Sequence, residues 1–268
     1  MKLDYSSPKI LYQLDGKTLS KDISNTEFDT LYNSLEVLNE YNKICYLAQN
    51  YLYAEKQFTL NKNLKSMHDI YECLGFLTSI IAIIRMNIDA WNTFLHSNYK
   101  DDKRIFSDDK SIFEKECNSC YDKNDGYAIV YNLRNQVLHS ANMISKIASD
   151  DNTIKVYIKP EDFIFGINDS FKNILKKYEG KYIDIVKAIS DTFECLHTLN
   201  NFIFCKIFEI NKEKYKNAYL CLKNLNVCNL ISPALIWVNN NFENTSIRKV
   251  DIEYIHLDII KSLENTLM

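Results

Sequence analysis

Apolar residues recur at intervals of three and four positions along most of the chain, which is the spacing of one buried face of an α-helix. The first such stretch begins after Asn25 and Thr26, either of which can serve as an N-cap, and continues to about Gln57. The second runs from about Leu64 to Asn98. Shorter periodic stretches cover residues 110–121, 128–148, 169–178, 182–212 and 252–267. The pattern predicts an all-α protein built as an antiparallel bundle of long helices.

Two short segments alternate between apolar and polar residues instead, which is the pattern of a half-buried β-strand. Residues 10–20 place Asp15-Gly16 between two alternating runs, and this dipeptide favours a tight hairpin turn. Residues 153–158 predict a single short strand that ends at Lys159-Pro160. We therefore expect an amino-terminal extension over 1–24, a helical domain over 25–212 and a helical carboxy-terminal extension over 213–268 that packs on the same domain.

The composition agrees with long helices. The 268 residues include only 5 glycines and 3 prolines. Folds made of many short strands need turn residues, and glycine-rich loops that bind phosphate need backbone conformations that glycine supplies. Both classes are therefore excluded. The formal net charge of −3 argues against a protein that coats nucleic acid through bulk charge, but it leaves a local basic groove open.

Nothing in the chain predicts membrane insertion. The first ten residues, MKLDYSSPKI, lack the apolar core of a signal peptide. The longest apolar run extends from Leu74 to Ile84 and is interrupted by Arg85, so it is far shorter than the roughly 20 residues that span a bilayer. The sequence predicts a soluble, cytoplasmic protein. Its 8 cysteines are then expected to be buried thiols in a reducing compartment.

One segment combines residues suited to chemistry, Tyr131 to His139 with the sequence YNLRNQVLH. On the predicted helix 128–148, Leu133 and Val137 belong to an apolar stripe, whereas Asn135 and His139 lie away from it. Histidine is the natural general acid or base near neutral pH, and arginine is a permanent cation that binds phosphate. Arg134 and His139 are five residues apart, about 140° around a helix, so one helix alone holds the two side chains apart.

The run Arg134-Asn135-Gln136-Val137-Leu138-His139 resembles the signature of the HEPN superfamily, an Arg followed after four to six residues by His, usually with a polar residue directly after the Arg. The helical order of residues 25–210 is similar as well. The resemblance implies a helical bundle that dimerises through the motif helix. It also implies a ribonuclease without metal or cofactor that acts in a toxin–antitoxin, abortive-infection or other defence system, with an antitoxin or defence protein as a further partner.

The same resemblance implies roles for three residues. Arg134 and His139 of two protomers would line one cleft, where His139 activates the ribose 2′-hydroxyl or protonates the leaving oxygen and Arg134 stabilises the phosphorane. Asn135 would orient the imidazole from one helical turn below. Because the 2′-hydroxyl is the nucleophile, RNA is the expected substrate. Two other interpretations stay open: an ordinary surface Arg and His, and a non-catalytic HEPN-like module that binds RNA, a nucleotide or a protein.

Other residues give weaker signals. Cys117 and Cys120 form a C-x-x-C pair, but no second pair completes a zinc site, so no metal is expected. Asp89 on the second long helix is one acidic residue that would hold the guanidinium of Arg134. Four lysines, interleaved with tyrosines, would contact an RNA backbone, although a solvated helix face explains them as well. These lysines are Lys172, Lys176, Lys177 and Lys181.

Overall fold

A computed structural model of the protein describes residues 8–62, 64, 70–107, 109–139, 144–149, 154–239 and 249–268. The chain is mostly helical, as the periodicity predicts. The described residues also form three antiparallel sheets, so the protein is not purely α-helical.

Eight α-helices lie in the described residues. They are α1 (Asn25–Gln49), α2 (Leu52–Asn61), α3 (Ile70–Tyr99), α4 (Ile112–Lys123), α5 (Asp125–His139), α6 (Asp169–Lys176), α7 (Ile185–Asn224) and α8 (Leu257–Leu267).

Nine short strands accompany them: β1 (Lys9–Leu14), β2 (Lys17–Asp22), β3 (Phe106–Ser107), β4 (Lys110–Ser111), β5 (Lys146–Ser149), β6 (Ile154–Ile158), β7 (Ile183–Asp184), β8 (Ile231–Asn239) and β9 (Lys249–Tyr254). The strand orders are β2-β1-β8-β9, β3-β4 and β5-β6-β7. The hairpin predicted at Asp15-Gly16 and the strand predicted at 153–158 are confirmed as β1–β2 and β6.

The chain divides into two compact units. Unit 1 comprises residues 1–45 and 206–268 and contains the four-stranded sheet. Its core includes Leu31 of α1, Tyr215 of α7 and Leu263 of α8, each fully buried. The hydroxyl of Tyr41 shares hydrogen bonds with the side chains of Ser262 (3.3 Å) and Thr266 (3.0 Å). These bonds join α1 to α8 within the unit.

Unit 2 comprises residues 46–205 and contains α2 to α6. A chain of hydrogen bonds crosses its core: the indole N–H of Trp91 donates to Asn200 Oδ1 (2.7 Å), Asn200 Nδ2 donates to Asn87 Oδ1 (3.0 Å), and Asn87 Nδ2 donates to the Leu47 carbonyl (2.9 Å). Each of the three donor side chains is at most 1% exposed. Because buried polar groups need partners, this network fixes how α3 and α7 meet.

Three of the predicted helices show large differences from the structure. The helix predicted over 25–57 is two helices, because the chain turns at Asn50-Tyr51. The helix predicted over 128–148 is wrong at its carboxyl end, where residues 146–149 form β5 and pair with β6. Cross-strand pairing outweighs the helical periodicity of these residues. The helix predicted to end at Lys212 continues to Asn224.

The carboxy-terminal segment is predicted to be helical, and its described residues include the end of α7 and all of α8, but β8 and β9 lie between these two helices. Pro233 lies within β8, where the pairing with β1 shifts register between Leu11 and Gln13. A proline cannot donate to a sheet, so it is tolerated at such an irregularity. The pairing of β1 with β8 places both terminal segments in one sheet, a contact that the sequence pattern does not predict.

Helix α3 is the one described helix that is long and apolar enough to cross a membrane by length and composition, with a mean hydropathy of 1.5 over an 18-residue window within Tyr71–Tyr99. Its buried residues include Leu77, Ile84 and Trp91, so it also has the composition of a core helix. A single helix of this kind is weak evidence for a membrane span.

Candidate functional site

Helix α5 carries the motif, and its start is fixed by a cap and a glycine. The Asn124 side chain accepts a hydrogen bond from the Tyr127 amide (2.9 Å) and so caps the helix. A Cβ at Gly126 would lie 2.7 Å from the Cβ of Asp191, so the absent side chain lets α5 approach α7 closely. The helices predicted over 110–121 and 128–148 are separate in the structure, and the break between them falls at Asn124.

The buried face of α5 is partly polar. Leu133 is buried, as predicted, but so are Asn132 and Gln136. Asn132 Nδ2 donates to the Tyr121 hydroxyl and to the Ala128 carbonyl, both at 2.8 Å. In the orientation that satisfies its amide, Gln136 accepts from the Phe165 N–H at 2.7 Å. Both side chains therefore attach α5 to neighbouring backbone and helices, which the apolar pattern alone does not reveal.

The Arg134 side chain is half-buried and lines a cavity of about 200 Å³ against α3. Thr78, Ala82 and Met86 supply the less polar part of the lining. Within the described residues, no carboxylate forms an ion pair with Arg134. In the part of the chain that the structure describes, its guanidinium makes one long contact of 3.5 Å to the side-chain oxygen of Asn135. The cation is thus available to an external anion.

A second arginine lies in the same cavity. Arg85 forms a two-pronged ion pair with Asp89, with contacts of 3.0 and 3.2 Å, and its guanidinium carbon lies 4.6 Å from the ring centroid of Tyr131. Asp89 therefore holds Arg85 rather than Arg134, although both arginines and Asp89 line the cavity. The sequence pattern marks Arg85 as the residue that interrupts an apolar run and does not identify it as a site residue. Its spacing of four residues from Asp89 on an otherwise apolar helix is the signal that could have identified it.

Asn135 packs against the turn at Gly166. Gly166 has a φ of +71°, and a Cβ at this position would lie 2.7 Å from Asn135 Nδ2. The amide of Asn135 thus lies between this turn and the guanidinium of Arg134. The role predicted for Asn135, orienting the imidazole of His139, stays a prediction.

Replacing Gly166 by alanine should lower the free energy of unfolding by about 2–4 kcal/mol, because the new Cβ meets Asn135 and the positive φ is strained. Gly180 is the matched control, since it has a φ of +68° and no atom within 4 Å of a built Cβ. Gly180→Ala should lower the free energy by only about 1–2 kcal/mol. Urea unfolding followed by circular dichroism measures both, and equal losses would show that the Asn135 contact does not restrict position 166.

His139 is the last residue of α5, and its side chain lies outside the described part of the structure. The helix itself includes both motif residues. At 1.5 Å and 100° per residue, Arg134 and His139 are separated by about 7.5 Å along the axis and about 140° around it. Regular helical geometry therefore places positions 134 and 139 on different sides of α5.

The four lysines named as possible RNA contacts are all exposed. Two of them already have acidic partners, since Lys172 pairs with Asp169 at 2.8 Å and Lys177 pairs with Asp125 at 2.7 Å. Such pairs reduce the local positive charge. The binding of RNA by these four lysines stays a prediction.

The C-x-x-C cysteines do not act as a pair. Burial raises the pKa of Cys117 to about 12, so its thiol is neutral at physiological pH. The thiol of Cys120 instead shares a hydrogen bond with Cys195 on α7, which lowers the pKa of Cys120 and raises that of Cys195. Among the described residues, no three His, Cys, Asp or Glu side chains lie close enough together to hold a metal ion.

Comparisons with models of known protein families, with curated proteins and with solved structures find no match to this chain. Its function is therefore inferred from α5 and the cavities beside it.

Proposed function

We propose that this protein is a metal-independent RNA endonuclease of the HEPN type, with Arg134 and His139 of α5 at its active site. The observation that supports this most is the state of Arg134. It lines a cavity, and no carboxylate among the described residues neutralises it, whereas the neighbouring Arg85 is bound by Asp89.

The proposed cleavage of RNA uses two side chains of the protein, His139 and Arg134, and no metal ion. His139 removes the proton from the ribose 2′-hydroxyl, the resulting oxygen attacks the adjacent phosphorus, and the bond from phosphorus to the 5′-oxygen breaks. The leaving 5′-oxygen takes up a proton, and the other fragment keeps a 2′,3′-cyclic phosphate. Arg134 stabilises the extra negative charge of the pentavalent phosphorane.

The active site is proposed to form between two copies of the chain. Because Arg134 and His139 of one α5 are about 140° apart, a phosphate is best reached by Arg134 of one protomer and His139 of its partner. The face of α3 beside Arg134 suits such a contact, since Ala82 is exposed and Met86 is 66% exposed. Apolar side chains of this kind are covered when helices pair.

The direct test is incubation of single-stranded RNA with the protein in excess chelator. We expect cleavage at an undiminished rate and products that end in a 2′,3′-cyclic phosphate, identified by mass spectrometry. A DNA strand of the same sequence should stay intact because it lacks the 2′-hydroxyl. Cleavage that requires a divalent metal, or cleavage of the DNA, would contradict this mechanism.

Coexpression of two inactive variants tests the shared site. In a mixed dimer of Arg134→Ala and His139→Ala chains, one of the two sites has both intact residues. With random pairing, half of the dimers are mixed, so about a quarter of the wild-type activity should return. If each site takes both residues from one chain, the mixture stays inactive.

The biological setting is proposed from the same resemblance: a toxin or phage-defence protein restrained by an antitoxin or a defence partner. Expression in a bacterial host should then arrest growth, and His139→Ala should abolish the arrest. Growth arrest that persists in His139→Ala would separate any toxicity from the site on α5.

One observation favours the alternative of a non-catalytic binding module. The side chain of Asn135 packs against Gly166, whereas the catalytic proposal assigns it to the imidazole of His139. A binding module would retain RNA affinity in the wild-type protein but leave every phosphodiester bond intact in the assay above.

A further inference from the structure

A second cavity, of about 360 Å³, lies between α3, α4 and α5 in unit 2 and shares Arg85 with the cavity that Arg134 lines. We call it the tyrosine cavity. Its volume falls in the range of small-molecule sites, about 300–1,000 Å³. The residues that define its chemistry are Arg85, Asn92, Asn118, Tyr121, Tyr127 and Tyr131.

Three helices supply this lining at helical spacings. Arg85 and Asn92 are seven residues apart on α3, and Tyr127 and Tyr131 are four apart on α5. Residues at these intervals share one face of a helix, so the cavity is built on rigid elements.

The aromatic rings give the cavity walls on which a planar group can stack. The rings of Tyr121 and Tyr131 are perpendicular, with centroids 5.6 Å apart, and the guanidinium of Arg85 covers Tyr131. Proteins hold nucleobases against tyrosine faces and arginine planes in this way.

Two buried polar atoms of the lining residues have no nitrogen or oxygen hydrogen-bond partner among the described residues. They are Asn92 Oδ1 and the hydroxyl of Tyr127, a residue that is only 2% exposed. The Tyr127 hydroxyl shares a hydrogen bond with the Cys117 thiol, which is a weak hydrogen-bonding group. A buried polar atom without a strong partner is destabilising, so a ligand that pairs with these two atoms gains affinity. An asparagine amide is well suited to the edge of a base.

The charges favour a ligand with a phosphate. Glu114 is the acidic residue of the lining. Its carboxylate accepts a hydrogen bond from the Ser111 N–H (2.7 Å) as part of the capping box of α4. Arg85 uses two of its five N–H donors on Asp89, which leaves others for an anion. A larger cavity of about 480 Å³, near the start of α7, has three lysines and three aspartates in its lining, so its charges balance and do not favour an anion.

We propose that the tyrosine cavity binds a nucleotide, with the base among the tyrosines, hydrogen-bonded to Asn92 and Tyr127, and the phosphate towards Arg85. The nucleotide is either a free molecule or one residue of an RNA strand. The binding does not depend on whether α5 cleaves RNA.

Calorimetric titration tests this binding. His139→Ala protein, which removes the proposed cleavage, is titrated with AMP, GMP, CMP and UMP, and separately with a single-stranded RNA octamer. At least one probe should bind. Asn92→Leu and Tyr127→Phe, introduced singly, should each weaken that binding about tenfold, as expected for one lost hydrogen bond. Tyr127→Phe removes a single oxygen and keeps the ring, so it is the variant least prone to misfold.

Tyr215→Phe is the matched control, because Tyr215 is fully buried in unit 1, outside this cavity. It should leave the affinity unchanged. Mononucleotide binding that both cavity variants weaken supports a free nucleotide, whereas variant-sensitive binding of the octamer alone supports a base within RNA. The proposal is overturned if no probe binds, or if the cavity variants bind as tightly as the Tyr215→Phe control. Cleavage by the wild-type protein, measured separately, decides the function of α5 independently.

Discussion

Replacement of Arg134 by alanine is expected to slow RNA cleavage by about 10²–10³-fold, because removal of a group that stabilises developing charge has this effect in other enzymes. The cavity beside Arg134 holds a second cation, Arg85, but that arginine is engaged by Asp89 and cannot substitute fully. Arg134→Lys should retain part of the activity, since it keeps the charge but loses the planar fork.

The control for this experiment is Arg104→Ala. Arg104 pairs with Asp102 on an exposed loop, with contacts of 2.7 to 3.2 Å, and does not line the cavity of Arg134. Its loss should leave the cleavage rate unchanged. Circular dichroism should show that both variants are folded. An Arg134→Ala protein that cleaves RNA as fast as the Arg104→Ala control would exclude Arg134 from the site.

Replacement of Asn200 by leucine should lower the free energy of unfolding by about 2–5 kcal/mol. Asn200 accepts from the Trp91 indole and donates to Asn87, and all three residues are buried. Leucine has a similar size, so the main effect is the loss of partners for two buried groups. Urea denaturation followed by circular dichroism measures the change.

The neighbouring Asn201→Leu provides the comparison, because Asn201 is exposed on the same helix. It should change the free energy by less than about 0.5 kcal/mol. A loss below about 1 kcal/mol for Asn200→Leu would mean that the network between α3 and α7 contributes little to stability.

The sequence predicts an element correctly where the conformation that its own residues prefer is also the one that the packed protein needs. Asp15-Gly16 forms the predicted turn because the dipeptide adopts positive φ at both positions, 49° and 71°. Residues 146–149 show the opposite case. Their apolar spacing fits a helix, but pairing with β6 is a contact with residues distant in sequence, which periodicity does not encode. The pairing of β8 with β1 went unpredicted for the same reason.

The candidate site was predictable to a similar degree. The motif residues were identified from spacing and residue type, and the structure places both on α5. Arg85, the turn at Gly166 and the buried amides of Asn132 and Gln136 were not identified. Each depends on a contact between elements, such as the approach of Gly166 to Asn135, that no local pattern records.

The most direct test of the central claim compares His139→Ala with the wild-type protein on RNA in excess chelator. His256→Ala serves as the control, since His256 is exposed and its side chain makes no capping hydrogen bond at α8. Wild type and His256→Ala should release fragments with 2′,3′-cyclic phosphate ends, and His139→Ala should cleave at least about 10²-fold more slowly while keeping the same circular dichroism spectrum. Cleavage by His139→Ala at the wild-type rate would contradict the assignment of the active site to α5.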